Sequence, residues 1–103
     1  VSGGTNIDIS SQNLNSITST GFYMGNGLTN APDAGFWYVV VQSHDNTTGN
    51  SWITQTVTAF GASNSYSAGQ TFRRQTTGGT SWSSWILILD SYNYNSLSIY
   101  LIT

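Results

Sequence analysis

Four aspartates, Asp8, Asp33, Asp45 and Asp90, supply every carboxylate side chain in this sequence, and His44 is its only imidazole. Hydrolysis of a glycosidic bond needs two carboxyl groups roughly 5–10 Å apart with separated pKa values. No two of these aspartates are close in sequence, and Asp33, after Pro32, reads as a turn former while Asp8 reads as a cap. Cysteine is absent, which removes thiol nucleophiles and thiolate metal sites. No G-x-S-x-G elbow presents a serine. A non-enzymatic protein without cofactor is therefore expected. His44-Asp45-Asn46 offers imidazole and oxygen ligands to a metal, but the same triplet makes an Asx-type turn at a strand end, and the turn is the expectation here. On a threefold axis one histidine becomes three, a full first shell for a transition metal.

The only cationic side chains, Arg73 and Arg74, are adjacent and point to opposite faces of a strand. One is expected to stack on Trp82 or Trp85, worth roughly 0.5–2 kcal/mol. The other faces solvent or Asp45. Two arginines at net charge −2 make no basic stripe, so no nucleic-acid partner is expected. Rings and amides remain as the chemistry on offer. Tyr92 and Tyr94 alternate with Asn93 and Asn95. Flat rings stack on pyranose faces, and amides both donate to and accept from sugar hydroxyls. The same loop is equally suited to tucking a tyrosine into a neighbouring subunit. Trp52 opens a half-polar strand and is the tryptophan expected to be partly exposed.

The frame for these residues is β. Residues 71–89 read as two strands reversing at Gly78-Gly79, where glycine accepts positive φ without a Cβ clash. Trp82 and Trp85 are three apart, which flat alternation would place on opposite faces, so a bulge or bend is predicted at Ser83-Ser84. Residues 86–89 are apolar on both faces and call for cover from another layer or another chain. Residues 36–43 form the strongest strand, with Phe36, Tyr38 and Val40 on one face and Trp37, Val39 and Val41 on the other. Residues 52–60 alternate apolar with threonine. Further strands are expected at 20–24 and 97–102, and a short helical turn at 10–17 capped by Ser10 or Ser11. The sum is a mainly β, mostly antiparallel sheet or sandwich-like knob of about six strands. Residues 1–7 read as a linker remnant and 8–103 as one domain. Met24 is the only methionine, so the chain is expected to be a segment of something longer. No apolar run is long enough for membrane insertion. Lysine and glutamate are both absent, leaving a surface of hydroxyls and amides that suits an extracellular or virion protein.

One ordered set of residues resembles a known family. It runs Leu14–Ile17 (Leu-Asn-Ser-Ile), Gly21-Phe22-Tyr23, Asn30-Ala31-Pro32, Gly35-Phe36-Trp37, Trp52-Ile53-Thr54-Gln55-Thr56, Arg73 or Arg74, Gly78-Gly79 and Trp82-Ser83-Ser84-Trp85. This order is similar to the C-terminal knob domain of R-type pyocin fibres and of phage tail fibres, over roughly residues 8–88. The resemblance implies a homotrimeric, non-enzymatic fibre tip in the virion that recognises bacterial cell-surface polysaccharide, lipopolysaccharide or capsule. It carries over no binding residues. A trimerising cap without receptor contact, or a fragment of a capsule depolymerase, are the alternatives. Two apolar-faced strands on a chain with so little charge also call for an oligomer or a second layer.

If the strands form a simple meander, connections alternate between the two ends of the sheet. One end then collects loops 26–35, 61–69 and 90–96, and the other the short turns at 45–51 and 78–79. Long loops on a rigid sheet are the usual place for recognition. This assigns glycan binding to Asn26, Asn30, Asn64, Tyr66, Tyr92, Asn93 and Tyr94, a mixture suited to a neutral glycan. The short-turn end, with His44, Asp45 and Trp52, is the second choice. Trp85 is expected in the core, where removal of a fully buried ring costs roughly 3–5 kcal/mol.

Overall fold

The computed structural model describes residues 6–44, 52–76 and 81–91. These form one six-stranded sheet, β1 (Ile7–Asp8), β2 (Gly21–Asn26), β3 (Phe36–Ser43), β4 (Ile53–Ala59), β5 (Thr71–Gln75) and β6 (Ile86–Leu87), in the spatial order of the sequence. From β2 to β6 it is an antiparallel meander, and β1 lies parallel to β2 at the edge. The mainly β reading holds, though one of the six strands is β1, which begins in the expected linker. Two residues are too few to carry an alternating pattern. The turn at 78–79 and the strand expected at 97–102 fall outside the described residues.

Alternation sorts the side chains onto two faces. Tyr23, Val39, Val57 and Phe72 stand in one inner row, Trp37 and Ala59 in the next, and Val41, Gln55 and Arg74 in a third. All of these are buried, with Trp37 and Gln55 at 0% exposure. Cover comes from the segment linking β1 to β2, through Ile9, Leu14 and Ile17, and from Leu28. Tyr66, Trp82, Trp85 and Leu87 complete it. The predicted helical turn shrinks to a 3₁₀ turn, Leu14–Ser16, and its cap is Asn13 rather than Ser10 or Ser11. Asn13 Oδ1 accepts from Asn15 N at 2.9 Å, a local bond that competes with helix growth. Asp8 does cap locally, its Oδ1 taking Ser10 N at 2.9 Å.

Arg74 joins the cover to the sheet. Its guanidinium sits 4.2 Å from the Trp82 ring centroid and 4.6 Å from that of Trp85. Its Nε donates to Gln55 Oε1 and its Nη2 to Asn15 Oδ1, both at 2.9 Å. The Gln55 amide then donates to the carbonyls of Leu14 at 2.7 Å and Ile17 at 2.9 Å. Both tryptophans reach one cation because of the predicted bulge. Three steps along β5, from Arg73 to Thr76, face four on the neighbouring segment, from Ile86 back to Trp82. Trp85 is half-buried, not core, and its indole N–H donates to the Asn30 carbonyl at 2.8 Å. Its removal should therefore cost less than that of a fully buried ring.

The outer face is unlike the inner one. Phe22 at 65%, Tyr38 at 49% and Val40 at 42% lie exposed on β2 and β3. Phe36 and Tyr38 pack on Phe60, with centroids 5.1 and 4.2 Å apart. The neighbouring half, on β4 and β5, carries Thr54, Thr56, Thr58, Thr71, Arg73 and Gln75. Ile86, Ile88 and Leu89 are also exposed, so among the described residues nothing covers the apolar run at 86–89 on both sides.

Arg74→Leu keeps a long apolar side chain but strands Gln55 Oε1 and Asn15 Oδ1 and removes both cation–π contacts. A loss of roughly 2–4 kcal/mol is expected in urea denaturation. Arg74→Lys, which keeps the charge without the planar fork, should fall between. A leucine variant as stable as the parent would show that the cover is held by other contacts.

Candidate functional site

The meander brings loops 26–35 and 61–69 to one end of the sheet as expected, and that end closes on itself. Asp33 is the reason. Its Oδ1 accepts from Gly35 N at 2.8 Å, from Asn64 Nδ2 at 3.0 Å and from the Trp37 indole at 3.1 Å. Its Oδ2 accepts from Ser65 N at 2.8 Å. Desolvation, the largest single influence, pushes this carboxyl up. The four hydrogen bonds, Ser65 first, together outweigh it and hold the group below its ordinary value. A Cβ on Gly35 would come within 2.7 Å of the Ser63 carbonyl oxygen, so the two loops meet at a contact only glycine allows.

This closure redirects several expected ligand residues. Asn64 holds its own loop with Oδ1, taking Gly61 N at 2.8 Å, and gives its amide to Asp33. The Tyr66 ring turns inward onto Phe72 and Trp37, with centroids 4.8 and 6.1 Å away. Asn30 adopts a left-handed conformation and ties its amide to Asn13 Oδ1 at 2.8 Å. Asn26 is exposed, at the end of β2 on the outer face. Tyr92, Asn93 and Tyr94 lie outside the described residues, as does Asp45. The long-loop residues that are described thus serve mainly to build the loops.

At the opposite end of the sheet, among the described residues, a cleft of about 450 Å³ lies between the ends of β3, β4 and β5. Its lining includes His44 and Trp52, two of the three second-choice residues. Gln42, Thr54 and Gln75 contribute from the outer face, and Ser43, Ile53 and Thr76 from the inner. Strand pairing fixes this row, because Gln42 faces Thr54 and Thr54 faces Gln75. The rim is set by His44 N donating to the Trp52 carbonyl at 2.9 Å. A reciprocal pair joins the next strand, Ile53 N to Thr76 Oγ1 at 3.0 Å and Thr76 N to the Ile53 carbonyl at 2.9 Å. Trp52 is 56% exposed, against 0% for Trp37.

Chemically the cleft offers one broad aromatic face, two carboxamides, an imidazole and the Thr54 hydroxyl, the Ser43 and Thr76 hydroxyls being engaged with the Thr18 carbonyl and Ile53 N, and no described residue in its lining carries a formal charge. That inventory can stack on a ring and exchange hydrogen bonds with hydroxyls. Among the described residues no three His, Asp or Glu side chains gather to hold a metal. The sequence reading found His44 and Trp52 but missed Gln42, Thr54 and Gln75. Their signal was present in the alternation: they are the polar positions of three successive strands, one register row in from Trp52. No protein-family model, curated protein or solved structure matches the chain.

Asp33 gives the long-loop end an acid dependence. A carboxyl whose folded pKa is lowered contributes stability above its unfolded pKa of about 4 and loses it as pH falls through the lower folded value. The melting temperature of the parent should therefore drop at acid pH. Asp33→Asn should melt lower at neutral pH, having lost the acceptor for Ser65 N, and should decline less steeply on acidification. The residual slope reports in part on Asp8, whose carboxyl is also held low, by the backbone N–H of Ser10 and then its hydroxyl. Equal slopes in both proteins would remove Asp33 from this role.

Proposed function

We propose that this domain is the non-enzymatic receptor-binding tip of a phage or phage-tail-like bacteriocin fibre, a virion protein that recognises bacterial surface glycan. The observation that carries this reading is the cleft, an exposed Trp52 beside an uncharged row of amides and hydroxyls. Small-molecule sites occupy roughly 300–1,000 Å³, so its size suits one or two sugar units. The motif order described above is the only support for the fibre context.

The domain acts as a homotrimer in this reading, with the apolar half of the outer face turned toward neighbouring subunits. Phe22, Tyr38 and Val40 form a strip with no charged residue in it, so its burial desolvates no ion. The same strip supports the second reading, a trimerising cap without receptor contact. The two readings differ in the cleft, which a cap would not need. Three copies of a weak site raise avidity by roughly 10²–10⁴ when a surface offers many ligands.

Trp52→Ala should leave the melting temperature unchanged and reduce adsorption to host cells at least tenfold. Full adsorption by this variant would favour the cap. Light scattering at micromolar concentration should give a trimer for the parent and smaller species for Phe22→Asp. A monomeric parent would sink the trimer reading, and a trimeric Phe22→Asp would move the interface elsewhere.

A further inference from the structure

The polar half of the outer face continues past the cleft. One register row inward from Gln42, Thr54 and Gln75 runs the row Val40, Thr56, Arg73 and Ile86. Arg73 is two residues from Gln75 along β5 and on the same face, and its Cα partner Thr56 is two residues from Thr54. At about 3.3 Å per residue the rows are roughly 7 Å apart, so Trp52, two rows out from Arg73, lies on the order of 13 Å from it along the strands.

The two arginines divide their roles. Arg74 is 5% exposed and committed to the fold. Arg73 is exposed, and among the described residues its guanidinium takes part in no hydrogen bond, ion pair or ring stack. It stands between Thr56 on one side and Ile86 on the other, so no acidic side chain flanks it within the sheet. The chain has two cations and places its exposed one beside the cleft. We propose that the cleft and Arg73 form one extended site for an acidic saccharide. Trp52 would carry a neutral ring, and Arg73, two register rows further in, would hold the carboxylate or phosphate of a unit further along the oligosaccharide through its planar fork of N–H donors. This inference rests on the glycan-binding reading of the cleft and goes beyond it by naming the ligand class. It also departs from the neutral glycan expected at the long loops.

The test is an array carrying neutral, uronate-containing and phosphorylated glycans, probed with the parent, Arg73→Gln and Trp52→Ala at low and high salt. The best acidic glycan is then titrated beside its neutral counterpart, carboxyl-reduced or dephosphorylated. The parent should prefer acidic glycans and lose that preference in high salt. Arg73→Gln should weaken the acidic glycan by about tenfold and leave the neutral one unchanged. Trp52→Ala should abolish both. The uronate and phosphate arms separate the two sources of charge. Equal parent affinity for the acidic and neutral members of a pair, or an Arg73→Gln variant that binds like the parent, overturns the acidic-ligand inference while the receptor reading stands. No binding to any glycan overturns both.

Discussion

A buried cation with no carboxylate beside it among the described residues is the constraint on which this fold turns. Arg74 lies between two indole faces, donates to Gln55 and Asn15, and through Gln55 reaches the carbonyls of the 3₁₀ turn. Burial lowers its pKa to about 10, well above neutrality, so it remains charged. Desolvating a guanidinium costs several kcal/mol. Against that stand two cation–π contacts at about 1–2 kcal/mol each and hydrogen bonds whose acceptors would otherwise be stranded. The arrangement is stable only if all its members are present together, which couples the first twenty residues to the strand pair that carries the tryptophans.

That coupling explains how the described residues cover a sheet without an α-helix. A single sheet must bury one face, and here the cover is short irregular segments whose backbone groups need partners. Gln55, fully buried in the middle of β4, supplies two donors to them. The Thr18 carbonyl is met by the Ser43 hydroxyl and that of Ser19 by the Tyr23 hydroxyl at 2.6 Å. The inner face therefore mixes apolar rows with polar side chains aimed at the cover. The outer face is free to diverge, apolar on β2 and β3 and hydroxyl-rich on β4 and β5.

Much of this was legible from residue type and spacing. Alternation in residues 36–43 and 52–60 gave both faces correctly. The Trp82–Trp85 spacing gave the bulge, and the adjacent arginines gave one buried and one exposed. Loops were less legible because their side chains bond within the loop as readily as outward. Asn64 and Tyr66 look in sequence like ligand residues, yet one braces Asp33 and the other packs on Phe72. The cleft was half visible, through His44 and Trp52. Gln42 and Gln75 join it only by register, and a sequence states register no more strongly than its turns allow.

The four indole N–H groups offer the most direct check, since each sits in a different environment. Those of Trp37 and Trp85 donate to Asp33 and Asn30, Trp82 belongs to the Arg74 stack, and Trp52 stands in the cleft. Their four resonances in a nitrogen–proton correlation spectrum can be followed while host surface glycan is added. The account predicts that the Trp52 signal moves and the other three stay fixed. Movement of the Trp37 or Trp85 signal with Trp52 unchanged would place the ligand at the other end of the sheet and contradict it.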